Sequence, residues 1–244
     1  MFIILDTETT GLEPCNIIQV AFYNTHGKSF NMNVKPSVRI VPAATIIHGI
    51  TNEEAAKFPE KSIVIKELEQ YLQSLPSDTI YAGYNIDFDL KCIAQDFQIS
   101  LNRVFDVLRL TKKYIPYSIL GGYRLDAVYY YLFPDRLQNL FKVRASHDAM
   151  SDCILTQHVL DKLLEIAVQR GDIPENYTDS DVYQLILNPI LIDSWPFGKY
   201  RNQPLTIDPS YAAWYIRQKD IDPDVAYSIR TLLPNLKINN KERS

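Results

Sequence analysis

The sequence predicts an α/β fold: a mixed five-stranded sheet flanked by helices, followed by a small C-terminal module. Three observations carry this. Runs rich in β-branched and aromatic residues cluster at the start of the chain; further such runs then alternate with segments of helical apolar spacing; beyond residue 170 the pattern breaks into polar and aromatic-rich sequence. The expected organisation is a domain over 1–170, a linker with a short helix over 171–193, and a compact module over 194–236.

Taken in order, FIILDTETTGLEP reads as a buried strand ending in a glycine turn, and NIIQVAFYN and KSFNMNVKP as two more strands of an antiparallel meander. A proline-bounded stretch, VPAATIIHGITNEEA, follows. Ile63, Ile65, Leu68, Tyr71, Leu72 and Leu75 predict a helix over 62–75, and residues 79–84 a strand. A helix over 86–97, a strand ending at Phe105, a helix over 107–114 capped by Asp106, and helices over 125–132 and 148–169 complete the domain. Gly171 and GDIPENYTDSD end the pattern; Thr178 to Ser180 offer caps for a helix over 181–187.

With 244 residues, 46% hydrophobic and 22% charged, the chain can bury a core, which excludes disordered, collagenous and disulfide-scaffold classes. The three cysteines, Cys15, Cys92 and Cys153, stand far apart and outside any zinc-like spacing, so a reducing compartment is expected. Met1 to Leu5 is too short an apolar run for a signal peptide, and no long apolar run follows; the expectation is a cytoplasmic protein. The formal net charge of −4 does not argue against a nucleic-acid partner, because four carboxylates committed to cations would balance the 29 acidic residues against the 25 Lys and Arg.

Three segments hold residues able to do chemistry. Asp6 and Glu8 are two apart in a strand, so both carboxylates lie on one face. Asp87 and Asp89 fall in the first turn of a helix, where acids are also favoured by the helix dipole alone. In SHDAMSDCILTQ, Ser146 can cap a helix, His147 stands at its entrance and Asp152 about one turn inside, among apolar neighbours.

Together these segments follow the order DxExTGL, NxxFD, HxAxxD, and the chain resembles the DEDDh exonucleases through Asp6–Leu12, Asn85–Asp89 and His147–Asp152. The resemblance selects Asp89 over Asp87, since the family's acid directly follows the phenylalanine. It implies a ribonuclease H-like sheet, and two divalent cations, Mg2+ or Mn2+, held by Asp6, Glu8, Asp89 and Asp152, with Asp6 bridging them and His147 taking the proton from the attacking water. A tight pocket around Thr9 and Leu12, bordered by the segment from His48 to Ala55, would receive the 3′-terminal nucleotide, and Asn85 would contact the substrate. Tyr84 departs from the pattern, standing where the family usually places histidine.

The C-terminal run WPFGKYRNQPLTIDPSYAAWYI resembles the tail of a DNA-degrading branch of that family. Lys199, Arg201, Arg217 and Lys219 face a single acid, Asp208, between positions 199 and 219. Interleaved aromatics could stack bases or form the module's own core, and the Lys199, Tyr200, Arg201 turn is the candidate nucleic-acid contact. The implied activity is a metal-dependent 3′–5′ exodeoxyribonuclease releasing nucleoside 5′-monophosphates from single-stranded or frayed 3′ ends in DNA repair. An exoribonuclease acting on RNA and a non-catalytic nucleic-acid-binding module are the alternatives. Some family members are homodimers, although no apolar stripe here predicts that interface.

Overall fold

The computed structural model describes residues 2–136 and 148–236. Five strands, β1 (Phe2–Thr9), β2 (Ile17–Tyr23), β3 (Phe30–Asn33), β4 (Ile80–Gly83) and β5 (Val104–Asp106), form one sheet in the order β3-β2-β1-β4-β5. The first three are antiparallel neighbours, whereas β4 and β5 run parallel to β1 and to each other. The predicted mixed sheet is therefore present, with β1 at its centre.

Alternation along β1 sends Ile3 and Leu5 to one face and Ile4 to the other. Ile3 and Leu5 pack with Phe22 of β2 and with Val64 and Leu68 of α3 (Lys61–Ser74). The buried stripe of α3 is Val64, Leu68 and Tyr71, while Ile63, expected inside, is 51% exposed. On the opposite face Ile4 and Ala21 pack against α8 (Ala149–Gln169), whose Cys153, Val159, Leu160 and Leu163 are buried. Helices α5 (Val107–Tyr114), α6 (Tyr117–Leu120) and α7 (Leu125–Leu132) complete that layer. Asp106 caps α5 as predicted, accepting from Leu108 N at 2.9 Å.

Three features differ in detail from expectation. The proline-bounded stretch forms two short helices, α1 (Pro42–His48) and α2 (Asn52–Ala55), separated by Gly49 at φ 76° and a Thr51–Glu54 capping box. The helix after β4 is α4 (Asp87–Cys92), which continues as a π-helical turn over Ile93–Phe97. The cap of α8 is Asp148, which accepts from Ser151 N at 3.2 Å; Ser146, the expected cap, lies outside the described residues.

Residues 171–193 do more than link. Ile173, and Val182, Leu185 and Ile186 of α9 (Asp179–Leu187), join the α8-side core. Ile190 and Ile192 instead join a separate core with Trp195, Leu205, Ala212, Val225 and Ile229, drawn partly from α10 (Pro209–Tyr215) and α11 (Pro223–Leu232). Arg109 of α5 ties the two parts together. Its guanidinium donates to the Ile186 and Asn188 carbonyls and forks onto Asp224 at 2.6 and 2.9 Å. No described helix is long and apolar enough to cross a membrane.

Candidate active site

On the α8 face of β1 the apolar positions stop at Ile4, and Asp6 and Glu8 take the next two places on the same face. Asp152 projects toward them from the first turn of α8. One ligand oxygen each from Asp6, Glu8 and Asp152 lies within 4.8 Å of the others. Gln19 of β2 sits directly opposite Glu8, and its Oε1 accepts from Ala149 N at 3.0 Å. A buried glutamine in an otherwise apolar strand thus pins the start of α8, and with it Asp152, to the sheet.

Asp89 approaches from the helix after β4. Its Oδ1 accepts from Thr7 N at 2.9 Å and from Thr7 Oγ at 2.6 Å, fixing the carboxylate beside the Asp6 and Glu8 strand. Burial pushes the Asp89 carboxyl up to about 7, against the pull of these Thr7 bonds. Burial and the charges of Asp89, Asp152, Glu8 and Asp148 all raise Asp6 well above the usual carboxylate range. Burial, Asp152, Asp89 and Asp148 lift Glu8 to about 8. Carboxylates crowded in this way favour a hard divalent cation, which selects oxygen ligands and cancels the repulsion; the donor set fits such a cation.

The other predicted residues fall in three places. Thr9 and His48 are buried side by side near the turn after β1: Thr9 Oγ donates to Gly11 O at 3.1 Å, and His48 Nδ1 accepts from Ile50 N at 3.0 Å. Burial lowers the His48 pKa despite the opposing effect of the Thr9 backbone. Leu12 stands 77% exposed beyond them. Asn85, exposed at φ 61°, forms the turn between β4 and α4, and its N–H donates to Asp106 at 2.7 Å. Tyr84, at the departure from the family pattern, donates its hydroxyl to the Tyr123 carbonyl at 2.9 Å, and its role here is to tie the turn to the α6–α7 loop. His147 lies outside the described residues.

Lys199, Tyr200 and Arg201 lie apart from the carboxylates along the chain and divide in role. The Tyr200 hydroxyl donates to Asp208 at 2.7 Å, and its ring packs edge-on against Tyr211 with Lys199 Nζ 4.6 Å above it. Tyr200 is therefore committed to the C-terminal core. Arg201 faces a cavity of about 600 Å3 that Asp152, Tyr84 and Asn85 also line. Sequence reasoning missed Thr7, Gln19 and Asp148; a buried Gln19 within IIQVAFY is the one that could have been found, as a polar interruption of an apolar strand.

The RNase_T family model, described as an exonuclease, matches residues 3–160. A DNA polymerase III subunit epsilon-like protein of Rhodobacter capsulatus is 28% identical over 182 residues, which make up 70% of this chain and 24% of that protein, so the chain spans about a quarter of that relative's length. Exonuclease X in complex with 5′ overhanging duplex DNA is similar at 21% identity over 76% of this chain and 99% of that one, with a TM-score of 0.48. E. coli exonuclease I in complex with a dT13 oligonucleotide is similar at 22% identity over 70% of this chain and 42% of that one, with a TM-score of 0.51, a likeness of fold. The family model covers well over half of the chain and includes Asp6, Glu8, Asp89 and Asp152, so the chain belongs to the RNase T family of exonucleases within the DEDDh superfamily.

Proposed function

We propose that this chain is a metal-dependent 3′–5′ exodeoxyribonuclease that removes nucleoside 5′-monophosphates from single-stranded or frayed 3′ ends and serves DNA repair. The observation that carries the reading is the convergence of Asp6, Glu8 and Asp152 at the end of β1. Asp6, Glu8 and Asp152, with Asp89 beside them, would hold the divalent cations, Mg2+ or Mn2+ by the hardness of the oxygen donors. When bound, such a pair supplies charge stabilisation for the scissile phosphate and lowers the pKa of the attacking water.

The protein's own residues do the rest. Thr7 keeps the Asp89 carboxylate oriented, and Gln19 fixes the height of Asp152 on α8. Thr9, Leu12 and His48 bound the seat of the 3′-terminal nucleotide, which gives the polarity of cleavage; Asn85 contacts the strand. His147, by its place in the HxAxxD motif, takes the proton of the attacking water, the general-base task for which an imidazole is chemically suited. The preference for DNA rests on the resemblance of the run over 195–216 to the tail of exodeoxyribonuclease X.

The test incubates the full chain with 5′-labelled single-stranded DNA and matching RNA, in Mg2+, in Mn2+ and in chelator. A metal-dependent ladder shortening from the 3′ end, faster on DNA and absent in Asp6→Ala, is the expected outcome. Preference for RNA would replace the substrate and keep the site, whereas binding without turnover in either metal would make the chain a non-catalytic nucleic-acid-binding module.

A further inference from the structure

The cavity of about 600 Å3 beside Asp152 has two walls from different parts of the chain. One comes from α5, from α6 through the start of α7, and from the β4–α4 turn, and includes Lys112, Tyr117 and Tyr123; the other is the loop from Ile192 to Asn202, which includes Arg201. Thr9, Leu12 and His48, which bound the proposed seat of the terminal nucleotide, do not line it, whereas Asp152 of the carboxylate group does. A strand whose 3′ end enters that seat and whose scissile phosphate meets Asp6, Glu8 and Asp152 has this cavity beside Asp152 as a path for its 5′ continuation.

The chemistry of the walls suits that occupant. Among the described residues, Lys112 and Arg201 form no ion pair, and Arg124, on the same rim, meets Asp126 through two long contacts of 3.3 Å from a side chain 76% exposed. Exposed pairs of that kind give way to a phosphate at little cost. Half-buried Tyr117 and Tyr123, edge to face at 5.9 Å, offer aromatic surface for bases. Of the three acidic members, Asp152 stands at the cation site, Asp193 beside Ser194, whose hydroxyl bonds Asp193 at 2.9 Å, and Asp126 beside Arg124. Arg109, forked onto Asp224 and bonded to two carbonyls, holds the C-terminal wall in register with α5, which carries Lys112.

We propose that this cleft seats the nucleotides 5′ of the scissile bond, with Lys112 and Arg201 taking successive phosphates from opposite walls, so that the C-terminal unit completes the substrate channel. The inference rests on the exonuclease reading for its direction, and strand binding tests it separately from turnover. In an Asp6→Ala background, anisotropy of 5′-fluorescein-labelled twelve-nucleotide dT and rU strands, and of the corresponding trinucleotides, is measured across a salt series. Arg201→Ala and Lys112→Ala are each expected to weaken the longer strand about tenfold, the loss of one charge-assisted hydrogen bond. Each should also flatten the slope of log affinity against log salt by about 0.7. The trinucleotide, too short to span the cleft, loses less; Arg201→Lys recovers most of the slope; Lys66→Ala, on the exposed face of α3, changes neither.

Equal affinity in parent and variants, equal losses on long and short strands, or no binding of either long strand would overturn the proposal. Melting curves of each variant separate these results from misfolding, and Arg201→Lys keeps the test valid if Arg201→Ala does not fold. Hydrolysis by the wild type with no variant effect on binding removes the inference alone. The expected binding pattern with no hydrolysis removes the exonuclease reading and leaves the channel standing.

Discussion

Asp222 and Asp224 at the start of α11, and Asp6 and Glu8 at the end of β1, are all half-buried acids, yet their surroundings are opposite. Asp222 accepts from the Asp224 and Val225 amides at 2.8 and 3.0 Å, and Asp224 takes the Arg109 fork together with Ile190 N at 3.0 Å. Around Asp6 and Glu8 burial and the neighbouring carboxylates all act in one direction, against the charged form. An acid supplied with donors is part of the architecture. Acids supplied with more acids store repulsion that only protons or a cation relieve, and this difference, more than burial or position, separates a site from a joint in this molecule.

The sharpest way to break the comparison is to remove one acid from each group. Asp6→Ala should lower kcat/KM on a labelled 3′ end by about a thousandfold or more, since several kcal/mol of charge stabilisation depend on it. Its melting temperature without metal should not fall, because repulsion is relieved. Asp224→Ala should do the reverse in kind: it strands the Arg109 guanidinium at the junction and costs about 2 kcal/mol of stability by thermal or urea unfolding. Were Asp6→Ala to unfold the protein, or Asp224→Ala to leave its stability unchanged, the division between site and joint would be wrong.

How much of this was legible in the sequence follows from the same distinction. Asp6 and Glu8 could be placed on one face because a strand's period is two, and Asp152 because a helix turn is short; both are local rules. The meander and the alternation after it were legible for the same reason, and so was the cap of α5 by Asp106. Thr7 and Arg109 were not, because their partners Asp89 and Asp224 lie 82 and 115 residues away. Gln19 stands out locally as a polar interruption of an apolar strand, but its partner Ala149, 130 residues away, does not. The packing of the helix expected over 181–187 and found over 179–187 was hidden for a related reason: its Val182, Leu185 and Ile186 find their core on α8 and its neighbours.

Titration sharpens the contrast further. Glu8 has its folded pKa raised from the ordinary 4.5 to about 8. A raised pKa means that the folded state holds the proton more tightly, so the associated stability is present below about pH 4.5 and is lost as pH climbs through about 8. Asp6 adds to this in the same direction. Metal-free protein should therefore melt at progressively lower temperature between those limits. Mg2+ or Mn2+ should restore the loss at the upper end, as a ligand that binds only the folded state. Glu8→Gln should flatten the metal-free profile. A flat wild-type profile in chelator would show that the carboxylates are not in conflict.

The finest test concerns Thr7, which stands between the two kinds of acid: it supplies donors to Asp89, a carboxylate that burial nonetheless raises to about 7. Thr7→Val keeps the shape and the backbone N–H but deletes the hydroxyl that favours the ionised form, so Asp89 should move higher still. Protons then compete better with the cation. The expected result is a fall of about tenfold in kcat/KM near neutrality, the value of one charge-assisted hydrogen bond. The Mg2+ concentration for half-maximal activity should rise, and the ascending limb of the pH–rate profile should shift to higher pH. Thr7→Ser should recover both, since it returns the hydroxyl and removes only a methyl group. A Thr7→Val enzyme with slower turnover but an unmoved Mg2+ dependence and pH profile would assign Thr7 to packing, and Asp89 would then owe its orientation to the Thr7 amide alone.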